Sequence, residues 1–137
     1  MKRLFIDTNI MVSAIVFDGN ELEVIIKSIE SGDEIFISEH ILEEAIRVFM
    51  KKFPKHLDMF EKFLELSDIK IVGKQEYQRI IKKFDDVRDK YDAHVLACAN
   101  KMTCSYIITG DKDLLEYTKG SFEILRAPEY LKLFDED

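Results

Sequence analysis

Two acidic side chains stand directly after apolar runs that we predict to be β-strands. Asp7 follows residues 4–6, and Asp111 follows residues 106–109 with Gly110 between them, while Asp113 comes two residues later. In a parallel sheet both strands point the same way, and ligands bind beyond the carboxyl ends of the strands. Gly110 permits a tight exit where a side chain would crowd the turn. The spacing therefore predicts that these carboxylates meet at one edge of a sheet.

Four more acids belong to segments with helical spacing. Asp89 and Asp92 are three residues apart and share one face of the helix that they begin. Glu43 and Glu44 lie within another predicted helix. Because adjacent residues face different directions, at least one of these two glutamates is expected to be solvated. Taken singly, Asp89 and Asp113 also fit a simpler role as helix caps.

The acids as a set predict a bound cation. Two like charges about 4 Å apart repel by ~4 kcal/mol at an effective dielectric of about 20, and no lysine or arginine adjoins Asp7 or lies within residues 109–111. A divalent metal is the simplest source of the positive charge that would offset this repulsion, and all-oxygen ligation favours Mg²⁺ or Mn²⁺ over zinc. The three histidines lack a zinc-binding spacing, and two cysteines, Cys98 and Cys104, are too few for a four-ligand zinc site.

Short apolar runs and helical repeats alternate along the chain. The predicted strands cover residues 4–6, 34–37, 69–72, 106–109 and, more weakly, 122–125. Apolar spacings of three and four predict helices over 22–29, 41–49, 57–64 and 91–102. Gly32 is expected to follow the first of these, Ser38 to start the second, and Pro54 to end it. Strands that alternate with helices predict an α/β fold with a parallel sheet covered on both faces. The length of 137 residues predicts one domain, residues 1–137.

Composition and charge exclude several classes of protein. Apolar residues make up 47% and charged residues 34% of the chain, a globular balance rather than a disordered one. Acids outnumber bases by 27 to 20, and the net charge of −7 excludes a protein that holds nucleic acid by bulk positive charge alone. No segment reaches the ~20 apolar residues of a membrane span, and Asp7 and Asn9 interrupt the first apolar stretch. We therefore expect a cytoplasmic protein with reduced cysteines and no membrane partner.

Four segments, taken in order, resemble the PIN-domain ribonuclease family, particularly its small stand-alone and toxin-like members. The matching segments are Phe5-Ile6-Asp7-Thr8-Asn9 with Met11-Val12-Ser13-Ala14, Ile37-Ser38 with Leu42-Glu43-Glu44, Arg88-Asp89-Lys90-Tyr91-Asp92-Ala93 with Leu96-Ala97-Cys98-Ala99, and Ile107-Ile108-Thr109-Gly110-Asp111-Lys112-Asp113-Leu114-Leu115. The tail, residues 124–131, is similar to the closing strand and helix of the family. The resemblance covers nearly the whole chain. Ser105 stands where many relatives carry an aspartate, a departure that touches no core ligand.

The resemblance implies a three-layer α/β/α sandwich around a parallel sheet of four or five strands. It also implies a metal-dependent nuclease with Mg²⁺ or Mn²⁺ as cofactor, which hydrolyses RNA by attack of a metal-activated water. Its site residues are a quartet of acids, two auxiliary acids and two polar residues that orient the acids by hydrogen bonding. These residues are Asp7, Glu44, Asp92 and Asp111 for the quartet, Asp89 and Asp113 for the auxiliary acids, and Asn9 and Thr109 for the orienting pair.

Basic residues are unevenly placed, which keeps a nucleic-acid substrate compatible with the acidic net charge. Residues 45–57 contain Arg47, Lys51 and Lys52 with no acid among them, and residues 70–84 contain Lys83 and four other basic residues against one acid. These residues are candidates for a rim that contacts RNA phosphates. An equally weighted interpretation takes both runs as solvated helix faces.

The biological role stays open at the level of sequence. The resemblance implies either the toxin of a toxin–antitoxin pair, inhibited by a small antitoxin protein, or a housekeeping RNA-processing enzyme. It also implies a homodimer or a higher homo-oligomer. A different class of function is a catalytically silent PIN-like module that binds RNA or metal without cutting, although retention of all four acids argues against it. The absence of a Gly-rich loop followed by Lys-Ser/Thr excludes a P-loop nucleotidase.

Overall fold

Five β-strands and a set of short and medium helices alternate along the chain in the computed structural model, which describes residues 1–87 and 89–135. Arg88, which belongs to one of the matching segments, lies outside the described residues. The strands are β1 (Arg3–Ile6), β2 (Glu34–Ser38), β3 (Lys70–Val72), β4 (Tyr106–Ile108) and β5 (Glu123–Leu125). The α-helices are α1 (Thr8–Phe17), α2 (Asn20–Glu30), α3 (Glu39–Lys52), α4 (Leu57–Leu66), α5 (Lys74–Tyr77), α6 (Lys90–Lys101), α7 (Lys112–Leu115) and α8 (Ala127–Leu131). Short 3₁₀ segments cover Pro54–His56, Gln78–Phe84 and Lys132–Phe134.

The strands form one sheet in the order β3-β2-β1-β4-β5, and every pairing is parallel. The chain first moves from β1 outward to β2 and β3, and then returns to place β4 on the other side of β1. The direction of the crossovers therefore reverses between β1 and β4. In open parallel sheets the crevice beyond the strand ends at such a reversal is where ligands bind.

Helices cover both faces of the sheet. Helix α1 packs against α2 and α3, and α8 packs against α2, while α6 packs against α5 and the 3₁₀ segment Gln78–Phe84. Because parallel crossovers are right-handed, the reversal at β1 sends α5, α6 and α7 to the face opposite α1–α4, whereas α8, which follows the last strand, returns to α2. The result is the three-layer α/β/α sandwich with a parallel sheet that the sequence predicts. Its core includes Phe5, Phe36 and Phe49, all of them fully buried.

Local sequence explains where several elements begin and end. The Ser38 hydroxyl accepts a hydrogen bond from the Ile41 amide and caps α3, as predicted. Pro54 opens a 3₁₀ segment after α3 has ended at Lys52, because proline cannot continue the helix. Gly32 follows α2 with a φ of 77°, the left-handed region that favours glycine.

The structure contains elements that the sequence interpretation does not include, and it shifts one boundary of each predicted strand by one residue. Helix α1 is not predicted by periodicity, because it is apolar on nearly all sides. The basic run 70–84, which one interpretation of the sequence takes as a solvated helix face, contains a short helix over Lys74–Tyr77 and a 3₁₀ segment over Gln78–Phe84. The fourth strand ends at Ile108, one residue earlier than expected, and Thr109 turns its hydroxyl toward Asp7. In the part of the chain that is described, no helix has the length and apolar character needed to cross a bilayer.

Candidate active site

The carboxyl ends of β1 and β4 bring two of the predicted acids to the point where the crossovers reverse. Ile6 pairs with Ile108 in the parallel register, and the Asp7 amide donates to the Ile108 carbonyl at 3.1 Å. Asp7 therefore leaves the sheet beside the segment that carries Asp111. Burial is the main cause that raises the pKa of the Asp7 carboxyl, and the charge of Asp111 adds a smaller effect in the same direction, as expected for two acids at one edge.

The Asp7 carboxylate is buried and held by three hydrogen bonds. Its Oδ1 accepts from the Thr8 amide at 2.7 Å and from the Tyr91 hydroxyl at 2.8 Å, and its Oδ2 accepts from the Thr109 hydroxyl at 2.7 Å. Burial raises the pKa of Asp7, and these three bonds act in the opposite direction because they favour the ionised form. The carboxylate is thus fixed in one orientation.

Thr109 connects the two strand ends. Its hydroxyl donates to Asp7 and accepts from the Asp111 amide at 3.0 Å, and the residue is fully buried. Asp111 in turn accepts the Asp113 amide at 2.8 Å through Oδ1 and so caps α7. The sequence allowed Asp113 as a cap of this helix, but Asp111 holds that position and Asp113 lies inside the first turn.

Asp92 is the least satisfied acid of the group. Its side chain is 1% exposed, and within residues 1–87 and 89–135 its Oδ1 has no hydrogen-bond partner. Burial raises the pKa of Asp92 to about 7, and the charges of Asp111, Asp89, Asp7 and Asp113 add to this effect. A buried carboxylate oxygen without a donor is costly unless the group is protonated or meets a cation.

Three carboxylates are close enough to share one ion. Oxygens of Asp92, Asp111 and Asp113 all lie within 4.8 Å of one another. Their donor set is oxygen alone, which suits Mg²⁺ or Mn²⁺, and the unpartnered Oδ1 of Asp92 is the atom that most needs positive charge. The residues present therefore fit a divalent cation.

A polar cleft of about 290 Å³, which we call the acidic cleft, opens over these strand ends. Its walls include Asp7, Asn9, Glu44, Asp89, Tyr91 and Asp111. Asp89 caps α6 by accepting the Tyr91 amide at 2.9 Å, in agreement with its simpler predicted role, and it also lines this cleft. Asn9 is exposed, and among the described residues no hydrogen bond links it to an acid.

The structure pairs one predicted acid with one predicted RNA contact. Glu44 forms an ion pair with Arg47 at 2.9 Å on the surface of α3. Lys51 and Lys52 are exposed at the far end of α3, about 10 Å further along the helix axis than Glu44. Lys83 is exposed on the 3₁₀ segment Gln78–Phe84. Neither Lys51, Lys52 nor Lys83 lines the acidic cleft.

Sequence reasoning missed Tyr91. The residue was part of a matching segment but had no assigned role, although its hydroxyl contacts both Asp7 and the Thr8 hydroxyl. Its ring lies 5.2 Å from that of His40, which stacks on His94 at 4.5 Å. Burial lowers the pKa of both histidines. Only the position of Tyr91 between two acids hinted at this role.

Comparisons with known proteins agree with this architecture. A solved structure of VapBC2 from Rickettsia felis bound to a DNA fragment from their promoter contains a similar chain, with a TM-score of 0.62 and 16% identity over 89% of this chain and 96% of that one. The structure of Mycobacterium tuberculosis VapC20, a sarcin-ricin loop cleaving toxin, is similar with a TM-score of 0.53 and 14% identity over 85% of this chain and 98% of that one. At these identities the likeness establishes the fold.

A comparison with curated protein sequences gives no match. The family model described as PIN domain matches residues 3–113. This match spans four of the five strands and every acid of the candidate site. The chain therefore belongs to the PIN-domain family.

Proposed function

We propose that the protein is a metal-dependent endoribonuclease that hydrolyses phosphodiester bonds of RNA at the acidic cleft. The observation that carries the proposal is Asp92, a buried carboxylate with an unpartnered oxygen, grouped with Asp111 and Asp113 where the crossovers of the sheet reverse. Membership of the PIN-domain family supports the same assignment.

The cation is Mg²⁺ or Mn²⁺ in this proposal, held chiefly by Asp92, Asp111 and Asp113. When bound, the cation supplies positive charge that favours deprotonation of the attacking water and neutralises the charge that develops on the phosphate. Asp7 lies beside this group, but both of its oxygens already accept hydrogen bonds. We therefore assign Asp7 a supporting place in the ligand shell, less dominant than its position after β1 suggested.

Several residues around the acidic cleft have supporting roles in this scheme. Thr109 and Tyr91 hold Asp7 in one orientation, so little reorganisation is needed when the cation and the substrate bind. Glu44 completes the ligand shell or orients the water, and its pairing with Arg47 keeps the side chain at the cleft wall. Asp89 acts through bound water, since it already serves as a helix cap.

The proposed contacts with RNA fall into two groups. Arg47 is next to the cleft through its pair with Glu44, whereas Lys51, Lys52 and Lys83 stand away from it and act only on RNA that extends beyond the cleavage point. Replacing Lys51 and Lys52 with glutamine should therefore lower the salt dependence of RNA binding without changing the cleavage rate at saturating substrate. Unchanged affinity and salt dependence would remove these lysines from the interface.

A toxin role with a small antitoxin partner is the proposed biological setting. Its support is the shared fold with VapC20, described as a toxin, and with a chain of VapBC2. Self-association into a homodimer is part of the same proposal. Co-expression with the product of an adjacent small reading frame, followed by mass measurement in solution, tests both points, because a complex and a dimer differ in mass.

Metal binding and cleavage are tested separately so that a silent binding module is distinguishable from an enzyme. Mn²⁺ at 100 times its dissociation constant should stabilise the fold by ~2.7 kcal/mol, measured by urea unfolding with and without EDTA. Asp7→Asn should reduce RNA cleavage in Mg²⁺ by about 100-fold or more, because several kcal/mol of transition-state stabilisation depend on the charged cluster. Asp68→Asn, an exposed loop aspartate, is the matched control.

The outcomes separate the alternatives. Cleavage by Asp7→Asn at the wild-type rate would contradict the assignment of the site. Stabilisation by Mn²⁺ without cleavage of any RNA would favour the silent module. If Mn²⁺ does not stabilise the protein and no RNA is cleaved, the proposal of a metal site is contradicted.

A further inference from the structure

A second cleft is lined by two members of the carboxylate group, Asp92 and Asp113. It has a volume of about 560 Å³, and we call it the flanking cleft. Its walls include Asp86, Asp92, Asp113, Tyr117 and Lys119. Asp92 and Asp113 thus belong to both the carboxylate group and this cleft, while Asp111 lines the acidic cleft. Two of the three proposed metal ligands therefore line the flanking cleft, and the third lines the acidic cleft.

An aromatic ring is held in place within the flanking cleft. Tyr117 lies in the segment between α7 and β5, and its ring contacts that of Phe84 with centroids 6.2 Å apart and planes inclined by 54°. Phe84 is buried and belongs to the 3₁₀ segment before α6. Phe84 therefore packs against the tyrosine from the core side, while the Tyr117 ring stays partly exposed. A preorganised aromatic surface favours stacking of another flat ring.

Polar groups next to this ring match the edge of a heterocycle. Lys119 Nζ and Asp86 Oδ2 form an ion pair at 2.8 Å that joins the segment after α7 to the segment before α6. The ammonium group has donors to spare, and the carboxylate has acceptor positions to spare. Donor and acceptor therefore lie side by side near the aromatic surface. Nucleobases present the complementary arrangement on their edges.

We propose that the flanking cleft binds the nucleobase of one nucleotide adjacent to the phosphodiester that is cleaved, with the base stacked on Tyr117 and its edge at the Asp86–Lys119 pair. The inference rests on the proposed nuclease function and adds a substrate subsite to it. The cleft volume lies in the range of small-molecule sites. Sharing Asp92 and Asp113 with the carboxylate group places any occupant within one nucleotide of the reacting phosphate.

The test uses a ligand with a single phosphodiester, so that the register is fixed. A non-hydrolysable phosphonate analogue of adenylyl-adenosine is titrated into ¹⁵N-labelled protein in Mg²⁺, together with two analogues that each lack one base. Amide signals of Val87, Thr118 and Lys119 should shift with the full ligand. Loss of one particular base should weaken binding about 5- to 100-fold, which is the range expected for one aromatic stack.

Variants identify the contact. Tyr117→Leu should weaken binding of the full ligand by the same factor. It should bind the analogue that lacks the critical base with the same affinity as wild type. Tyr117→Phe keeps the ring and should behave as wild type. Lys119→Gln changes an exposed side chain without touching the core and should weaken binding, whereas Lys62→Gln on α4 is a matched control with no effect.

Each other result overturns the proposal. If Tyr117→Leu and removal of either base have independent, additive effects, the ring does not touch a base. If hexa-arginine shifts Val87 and Thr118 while the dinucleotide does not, the cleft binds a basic protein segment instead. The outcomes also separate this inference from the nuclease proposal. If Tyr117→Leu and loss of the critical base have non-additive effects on binding but wild type cleaves no RNA, only the nuclease proposal is contradicted. If wild type cleaves RNA but the two effects are additive, only the subsite is contradicted.

Discussion

Replacing Asp92 with asparagine should make the metal-free protein more stable at neutral pH. In the folded state, burial and the neighbouring acids raise the pKa of this carboxyl from 3.8 to about 7. The folded state therefore binds the proton more tightly than the unfolded chain does, and the stability that this proton provides is complete below about pH 4 and is lost as the pH rises through 7. Each tenfold difference in proton affinity corresponds to about 1.4 kcal/mol, so the loss by pH 8 is at most about 4 kcal/mol.

The asparagine side chain introduced by Asp92→Asn has nearly the same shape as the aspartate without a charge to bury. The variant should therefore gain stability over wild type between pH 5 and pH 8 in EDTA, measured as the free energy of unfolding in urea. The gain should vanish or reverse when Mn²⁺ is added, because wild type alone would then recover the cost through binding. Asp68→Asn serves as the exposed control and should show no such pH dependence.

Two results would refute this reasoning about Asp92. A variant that is less stable than wild type at pH 8 in EDTA would mean that the carboxylate is well solvated or paired in the metal-free fold. A stability difference that stays constant from pH 5 to pH 8 would mean that Asp92 does not titrate in this range. Either result would remove the buried charge as the reason for expecting a cation.

Three further substitutions test the network around Asp7 and the core. Tyr91→Phe removes one hydrogen bond to the Asp7 carboxylate and should destabilise the fold by about 1–3 kcal/mol and weaken Mn²⁺ binding, measured by urea unfolding and calorimetry; full metal affinity would deny Tyr91 a positioning role. Thr109→Val breaks the link between Asp7 and Asp111 and should lower metal affinity by about 10- to 100-fold, with Thr109→Ser as the variant expected to restore it. Phe49→Ala opens a cavity in the fully buried core and should cost about 3–5 kcal/mol in urea unfolding with metal affinity unchanged in the folded protein; a cost under about 1 kcal/mol would contradict its burial.

The sequence predicted the strands well because each is a short apolar run bounded by polar residues or glycine. It also predicted that Asp7 and Asp111 would meet, since that follows from parallel strands with a common direction. Helix α1 escaped prediction for a physical reason: it is surrounded by other elements, so its residues are apolar on nearly every side and show no helical period. Strong amphipathic patterns, as in α2 and α3, belong to helices with one solvated face.

The details of the site depend on contacts that local spacing does not encode. Tyr91 reaches Asp7 across 84 residues of sequence, and no periodicity relates the two. The pair between Glu44 and Arg47 was visible as a three-residue spacing, but the pattern alone does not tell whether an arginine faces an acid or a phosphate. The flanking cleft joins segments on both sides of α6 and β4, so only the folded chain reveals it.

The strand order determines when the candidate site can assemble during synthesis of the protein. The hydroxyl that orients Asp7 comes from Thr109, 102 residues downstream, and the strand beside β1 on that side is β4. A nascent chain that has emerged only as far as β3 therefore lacks Thr109. Its acidic cleft is incomplete even if the emerged part has already folded. Because contacts between residues this far apart in sequence form slowly, the proposed site is completed only after β4 has been synthesised and has paired with β1.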